Sequence, residues 1–388
     1  MPTINFSNTE IAFQYKSTED LKRAYQLFKL LSYPTLVNVG SVVAPLFVKL
    51  GGKFFIKKTI YRQFVGGETR EECIHIIQTL AKYNVGSILD YSVEGEQNED
   101  SFERCKKEII ENIEFSKDKP YIPFCVFKPT GLIRFALLEK VSAGATLSTN
   151  EQNEWNRAKN RVMEVCQKAY QSQQPIFIDA EESWIQKAID ELTDECMLTF
   201  NKNQCIVLNT FQLYRTDRLQ FLKDSLKKAK ENNYYLGAKL VRGAYMEKER
   251  ERAAKMGYPS PIHPDKSSTD RDYDEALTFC VENIDRITVC AGTHNERSSQ
   301  HLVDLIEKHG LKKDDKRIYF SQLLGMSDHI SFNLAKEGYN VVKYVPYGPV
   351  ESVLPYLIRR AQENTSVKGQ TGRELTLITR EVKRRSGR

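Results

Sequence analysis

The chain has 388 residues, 40% of them hydrophobic and 28% charged, and a formal net charge of +6. This is the composition of a soluble globular protein, long enough for one large α/β barrel or two ordinary domains. Lys and Arg are interspersed with Asp and Glu almost throughout, so the modest positive balance does not support a nucleic-acid partner.

The chain opens Met1-Pro-Thr-Ile-Asn-Phe, with no basic leader, apolar signal core or Arg-rich transit character. No run approaches about 18 uninterrupted apolar residues, so no spanning helix is expected. The expected location is cytoplasmic, with peripheral contact at the inner face of a membrane as the variant to test. That variant rests on residues 36–58: Leu36 to Lys49 is apolar and interrupted by Gly and Pro, and Lys53-Phe-Phe-Ile-Lys57-Lys58 follows. The plainer expectation is that these helices pack against a domain.

From residue 85 onward, short apolar runs alternate with longer stretches of helical period. Strands are predicted at 86–93, 122–128, 176–179, 204–209, 236–242, 287–291, 318–322 and 339–345. Helical patterns lie between them, as at 154–170, 216–232 and 298–309. Eight strands, each followed by a helix, make the arithmetic of a closed parallel (β/α)8 barrel of TIM type. A doubly wound sheet is the runner-up, but the chain lacks GxGxxG and GxxxxGK[ST]. The expected organisation is an N-terminal helical segment (1–84), the barrel (85–366) and a basic, solvated C-terminal tail (367–388).

Several strands end on polar residues after runs too apolar for a surface edge: Lys128, Asp179, Gln212, Lys239 with Arg242, Thr293-His294-Asn295, and Tyr344. Barrel active sites lie at the C-terminal ends of strands, and charges gathered there must answer to one another or to a ligand. After the last strand, Tyr356-Leu-Ile-Arg359-Arg360-Ala-Gln-Glu363 puts two guanidinium forks on one amphipathic helix. Alone, such a pair is a solvated face; over a barrel mouth it is an anion clamp. There is no metal-ligand spacing and no Ser-His-Asp or Cys-His arrangement. Eight scattered cysteines without CxxC suggest a reducing compartment, not a disulfide framework or zinc site.

Two long motifs are specific: Leu236-Gly-Ala-Lys239-Leu-Val-Arg242-Gly243-Ala244-Tyr245, and Tyr344-Val-Pro-Tyr-Gly-Pro through Tyr356, Arg359, Arg360 and Glu363. With Phe320-Ser-Gln-Leu-Leu-Gly, Phe127-Lys128-Pro-Thr-Gly, Ile178-Asp179-Ala-Glu-Glu and Tyr61-Arg-Gln-Phe-Val-Gly-Gly-Glu, the chain resembles the proline dehydrogenase family over most of residues 55–366. The likeness is to its stand-alone, mitochondrial-type branch. It implies a distorted (β/α)8 barrel holding FAD, oxidation of L-proline to pyrroline-5-carboxylate, and electrons passed to a membrane quinone. Carried over by position, Lys128, Asp179, Tyr344, Arg359 and Arg360 would be the catalytic set. Arg359, Arg360 and Lys128 would bind the proline carboxylate, with Tyr344, Tyr356 and Leu324 around the ring and Asp179 tying the network to Tyr344. A family carboxylate near the end of the first strand corresponds to Glu94. Flavin contacts would come from Gln212, Lys239, Arg242, Gly243, Ala244, Thr293, His294, Asn295 and Glu363, and no metal is implied. The bifunctional bacterial branch has arginine where Lys239 stands and lysine where Arg242 stands, so the charge is kept but not the fork.

Two other activities compete. Hydroxyproline dehydrogenase resembles this chain but carries a smaller residue where Tyr344 stands. More remotely, Lys128 or Lys239 would serve as a Schiff-base lysine in an aldolase-type barrel.

Overall fold

The computed structural model describes residues 3–92, 97–366 and 370–387. Eight parallel strands pair in sequence order around a closed barrel: β1 (Val85–Tyr91), β2 (Phe124–Phe127), β3 (Ile176–Ile178), β4 (Val207–Gln212), β5 (Leu236–Val241), β6 (Ile287–Gly292), β7 (Ile318–Leu323) and β8 (Val341–Tyr347). The predicted eight-stranded barrel is therefore the fold. Its strands are the β-branched and aromatic runs of the sequence, buried on both faces as parallel strands require.

The chain divides into two compact units. The first, residues 95–320, carries β2 to β6 in parallel register, with Phe127 opposite Ile178 and Thr210 opposite Lys239. Its long helices start on side-chain caps. Asn98 accepts from Ser101 N at 2.9 Å before Glu99–Ser116. Ser148 and Glu151 form a reciprocal capping box before Thr149–Gln171.

The second unit, residues 2–94 and 321–388, holds β1 and β8, with Ile88 opposite Tyr344. Helices from both ends of the chain share its core: Phe13, Leu21, Phe28 and Phe64 pack with Val353, Leu357, Leu377 and Ile378. The segment expected as a solvated basic tail is the helix Gln370–Arg385. Leu377 and Ile378 are buried, and Arg385 donates to the carbonyls of Phe13 and Lys16 at 2.9 and 2.8 Å. The basic cluster masked an apolar stripe of helical spacing, and burial of that stripe decides the outcome.

A second correction concerns residues 36–58. From Pro34 to Phe64 the backbone is helical on either side of a kink at Gly51 (φ 96°), and only the whole kinked stretch reaches the length and apolar composition that a membrane span requires. Scattered Gly, Asn, Ser and Pro break every uninterrupted apolar run, and no clear spanning helix results. Nor does it pack as expected: of the apolar residues from Leu36 to Phe55, only Val37 and Val48 are buried.

Candidate active site

In the first unit, the ends of β2, β3 and β5 bring Lys128, Asp179 and Lys239 together. Lys128 Nζ donates to Asp179 Oδ2 at 3.1 Å, and Lys239 Nζ donates to Oδ1 of the same carboxylate. Lys239 also lies 5.3 Å from the centroid of the Phe177 ring. Burial works to raise the Asp179 pKa, but the charges of Lys239 and Lys128 outweigh it and hold the carboxyl below its ordinary value. Asp179 is thus a buried anion between two cations, and Lys239, read as a flavin contact, is one of its partners.

Arg242 follows β5 and is fixed from three sides. Its Nε donates to Asp270 at 2.7 Å, Nη1 to Thr293 Oγ1 at 2.8 Å and Nη2 to Ser298 Oγ at 2.9 Å, with the Tyr273 ring 4.3 Å from its central carbon. The next residue, Gly243, has φ 137°, and a Cβ there would fall 2.4 Å from the Tyr214 ring, so only glycine fits. Ala244 is exposed beside it. His294 is half-buried, and Asn295 is the N-cap of Glu296–Lys308, accepting from Arg297 N and Ser298 N.

Gln212 ends β4, buried, with its Oε1 lacking a hydrogen-bond partner among the described residues. A buried amide oxygen in that state is an acceptor that a bound group or an ordered water would satisfy.

Sequence reasoning passed over one further pair here. Glu181 accepts from Thr130 N at 2.9 Å and from Thr130 Oγ1 at 2.6 Å, linking the segments after β2 and β3. Burial pushes its carboxyl up to about 8 against the Thr130 hydrogen bonds, and Glu182 adds to the rise. Both residues stand inside the quoted motifs; only the depth of burial marks them, and sequence does not report it.

In the second unit, Tyr344 lies buried on β8, and Leu324 N donates to its carbonyl at 2.9 Å. The helix Val350–Ser366 follows. Val353, Tyr356, Leu357 and Ala361 pack in the unit's core, and Arg360 is buried on the same helix one turn after Tyr356. The Arg360 guanidinium lies 5.1 Å from the Tyr356 ring, and its Nη2 donates to Glu363 Oε1 at 2.6 Å. Arg359 is half-buried beside it. Burial raises the Glu363 pKa even against Arg360 and Arg359. Arg360 is therefore no solvated face, and Glu363, read as a flavin contact, is its ion-pair partner. Glu94 lies outside the described residues.

The family described as proline dehydrogenase matches residues 73–373. Proline dehydrogenase 1, mitochondrial, of Dictyostelium discoideum is 32% identical, the alignment covering 97% of this chain and 74% of that protein. Hydroxyproline dehydrogenase of Xenopus laevis is 30% identical, over 98% of this chain and 90% of that protein. Among solved structures, proline utilization A (PutA) of Bdellovibrio bacteriovorus, inactivated by N-propargylglycine, superposes with a TM-score of 0.71 at 21% identity. That match covers 95% of this chain and 39% of the PutA chain.

Proposed function

The chain belongs to the proline dehydrogenase family of oxidoreductases, and from that premise we propose that it is an FAD-dependent enzyme oxidising L-proline to pyrroline-5-carboxylate, with the electrons passing to a membrane quinone. The observation that carries this reading is the family match across residues 73–373, which contains the whole strand-end set and the Arg359–Arg360 helix.

When bound, FAD would supply the two-electron acceptor that no side chain here provides. The fit of the chain to such a group is supported by the unpartnered buried Oε1 of Gln212, an acceptor suited to a ring N–H. Arg242, immobilised by Asp270, Thr293 and Ser298, offers a fixed cation for an anionic portion. Thr293, His294, Asn295, Gly243 and Ala244 complete the expected contact set. Lys239 would act on it through Asp179, and Glu363 through Arg360.

Oxidation turns the ring C–N bond into C=N: a hydride leaves carbon, and the nitrogen must already have lost its proton. Side chains must therefore orient the ring and exclude water more than they must supply acid or base. Arg359 and Arg360 would hold the carboxylate, Lys128 would add positive charge, and Tyr344, Tyr356 and Leu324 would wall the ring.

Hydroxyproline is the second reading, favoured by the amphibian relative; the bulk of Tyr344 favours proline. The ratio of turnover on the two substrates decides between them. A Schiff-base lysine is disfavoured because Lys128 and Lys239 are both engaged by Asp179. The test of the whole reading is the visible spectrum of purified protein, expected to be yellow and to bleach anaerobically with L-proline. A colourless protein, or a yellow one indifferent to proline, overturns it.

A further inference from the structure

We propose that the helical stretch from Pro34 to Phe55 is an in-plane docking surface for a bilayer containing anionic phospholipid. The proposal rests on the quinone reading for its purpose, since an acceptor dissolved in lipid must be met at the lipid. Its geometry rests on the second unit alone.

One stripe of the Pro34–Phe47 helix and its continuation faces the protein's own body: Val37 and Val48 are buried, with Ser41 and Ala44 half-buried between them. The rest of the surface is apolar as well. Val42 is 80% exposed and Leu50 78%, and past the Gly51 turn (φ 96°) Phe54 and Phe55 are 67% and 62% exposed. A helix apolar all round belongs in a core or in lipid, and a contiguous exposed patch of this kind marks an interaction surface.

Charge selects the partner. From Leu21 to Gly67 the sequence contains lysines and arginines but no aspartate or glutamate. Lys53 and Lys57 are paired to Glu68, Glu72 and Glu351 and Arg62 to Asp20, so Lys49 and Lys58 carry the selection. Lys49 is exposed beside Leu50, and the Lys58 ammonium sits 4.1 Å from the Phe54 ring. Exposed apolar residues with Lys49 beside them and Lys58 lying over Phe54 match an anionic headgroup layer over acyl chains. A second copy would present the same basic frame and repel. Length argues against spanning: the uncharged stretch from Pro34 to Val48 is about 22 Å long at a rise of about 1.5 Å per residue. The hydrocarbon core is about 30 Å thick, and one stripe of the helix is already packed on protein.

The test is flotation of the full chain with vesicles of phosphatidylcholine alone and of phosphatidylcholine mixed with phosphatidylglycerol. The expected result is binding to the mixed vesicles roughly tenfold tighter than to the neutral ones. The variant Val42→Ser/Leu46→Ser/Leu50→Ser should stay with the soluble fraction, with unchanged melting temperature and unchanged proline-dependent reduction of a soluble dye. The proposal is overturned if the parent ignores mixed vesicles, or if the variant floats equally well. It is also overturned if the parent is a dimer that the triple substitution splits, or if it resists alkaline carbonate extraction as a spanning protein does. Absent flotation with intact dye reduction condemns the docking surface alone; intact flotation without bleaching by proline condemns the flavin reading alone.

Discussion

Lys128 and Lys239 hold opposite oxygens of one carboxylate, that of Asp179. Neither lysine is more than slightly exposed: their side chains retain 14% and 5% of their accessible surface. Removing the anion leaves two cations facing each other in a poorly solvated place, which is costlier than losing an ordinary hydrogen bond. Asp179→Asn should therefore lose roughly 3–5 kcal/mol of stability. The reading is the urea midpoint at constant m-value. A midpoint equal to the parent's would mean that the triad is solvated and energetically idle.

The barrel and most strand ends were legible because parallel strands buried on both faces leave continuous apolar runs, and a polar residue closing such a run is conspicuous. Lys128, Asp179, Lys239 and Arg242 were found that way. Their pairing was not legible. Nothing in the spacing says that Lys239 reaches Asp179, or that Arg242 is fixed by Asp270, because both links cross between strands and helices far apart in sequence. The exposure of Val42 and Leu50 was hidden for the opposite reason: an apolar helix reads the same whether protein or lipid covers it.

Arg359 and Arg360 differ in setting, so their removal should separate two effects. Arg360 is buried and paired to Glu363, whereas Arg359 is half-buried. If both hold the substrate carboxylate, replacing either with Met should weaken proline binding by roughly 2–5 kcal/mol, the range for breaking a desolvated charge pair. It should appear as a raised KM with the flavin spectrum intact. Arg360→Met should also lower the melting temperature, because Glu363 loses its partner. Adding Glu363→Gln should restore that loss without restoring affinity. Proline affinity unchanged in both arginine variants would rule out the clamp.

Glu181 gives a pH dependence of definite sign. Its folded pKa of about 8 stands well above the ordinary glutamate value of about 4.3. Between these values the folded chain keeps a proton that the unfolded chain releases. The stabilisation is complete below the lower value and is lost as pH rises toward the upper one. Glu181→Gln keeps a neutral group able to accept from Thr130 N and donate to Thr130 Oγ1. Its stability relative to the parent should climb steadily from about pH 5 to pH 8, as read from melting temperatures of the two proteins in matched buffers. A constant difference would show that Glu181 is ionised in the folded protein throughout.

Asp328 predicts the opposite slope. It is buried at the start of the helix Asp328–Lys336, where Lys343 Nζ lies 2.8 Å from Oδ1, and the Tyr15 hydroxyl and Lys16 Nζ lie 2.8 and 3.1 Å from Oδ2. Burial alone would raise its pKa, yet the charges of Lys16 and Lys343 and the hydrogen bonds from Lys343 and Tyr15 depress it well below the usual carboxylate range. A carboxyl depressed on folding contributes stability above its unfolded pKa of about 3.9 and loses it as pH falls toward the folded value. Asp328→Asn should therefore be less stable than the parent at pH 7 by roughly 3–5 kcal/mol, since Lys343 has no exposed surface and burial, which already lowers its pKa, would act on it without the opposing anion. Below about pH 4 the difference should shrink, because only the parent has an Asp328 proton still to take up. Carboxylates away from Asp328 titrate in both proteins alike; burial and the Asp328 charge both raise the Glu374 pKa, so the pair of proteins is compared in a Glu374→Gln background to isolate this one. A gap that stays constant down to pH 3 would mean that folding does not depress the Asp328 pKa, and that the buried lysine is held by its bonds to the carbonyls of Met326 and Leu323 instead.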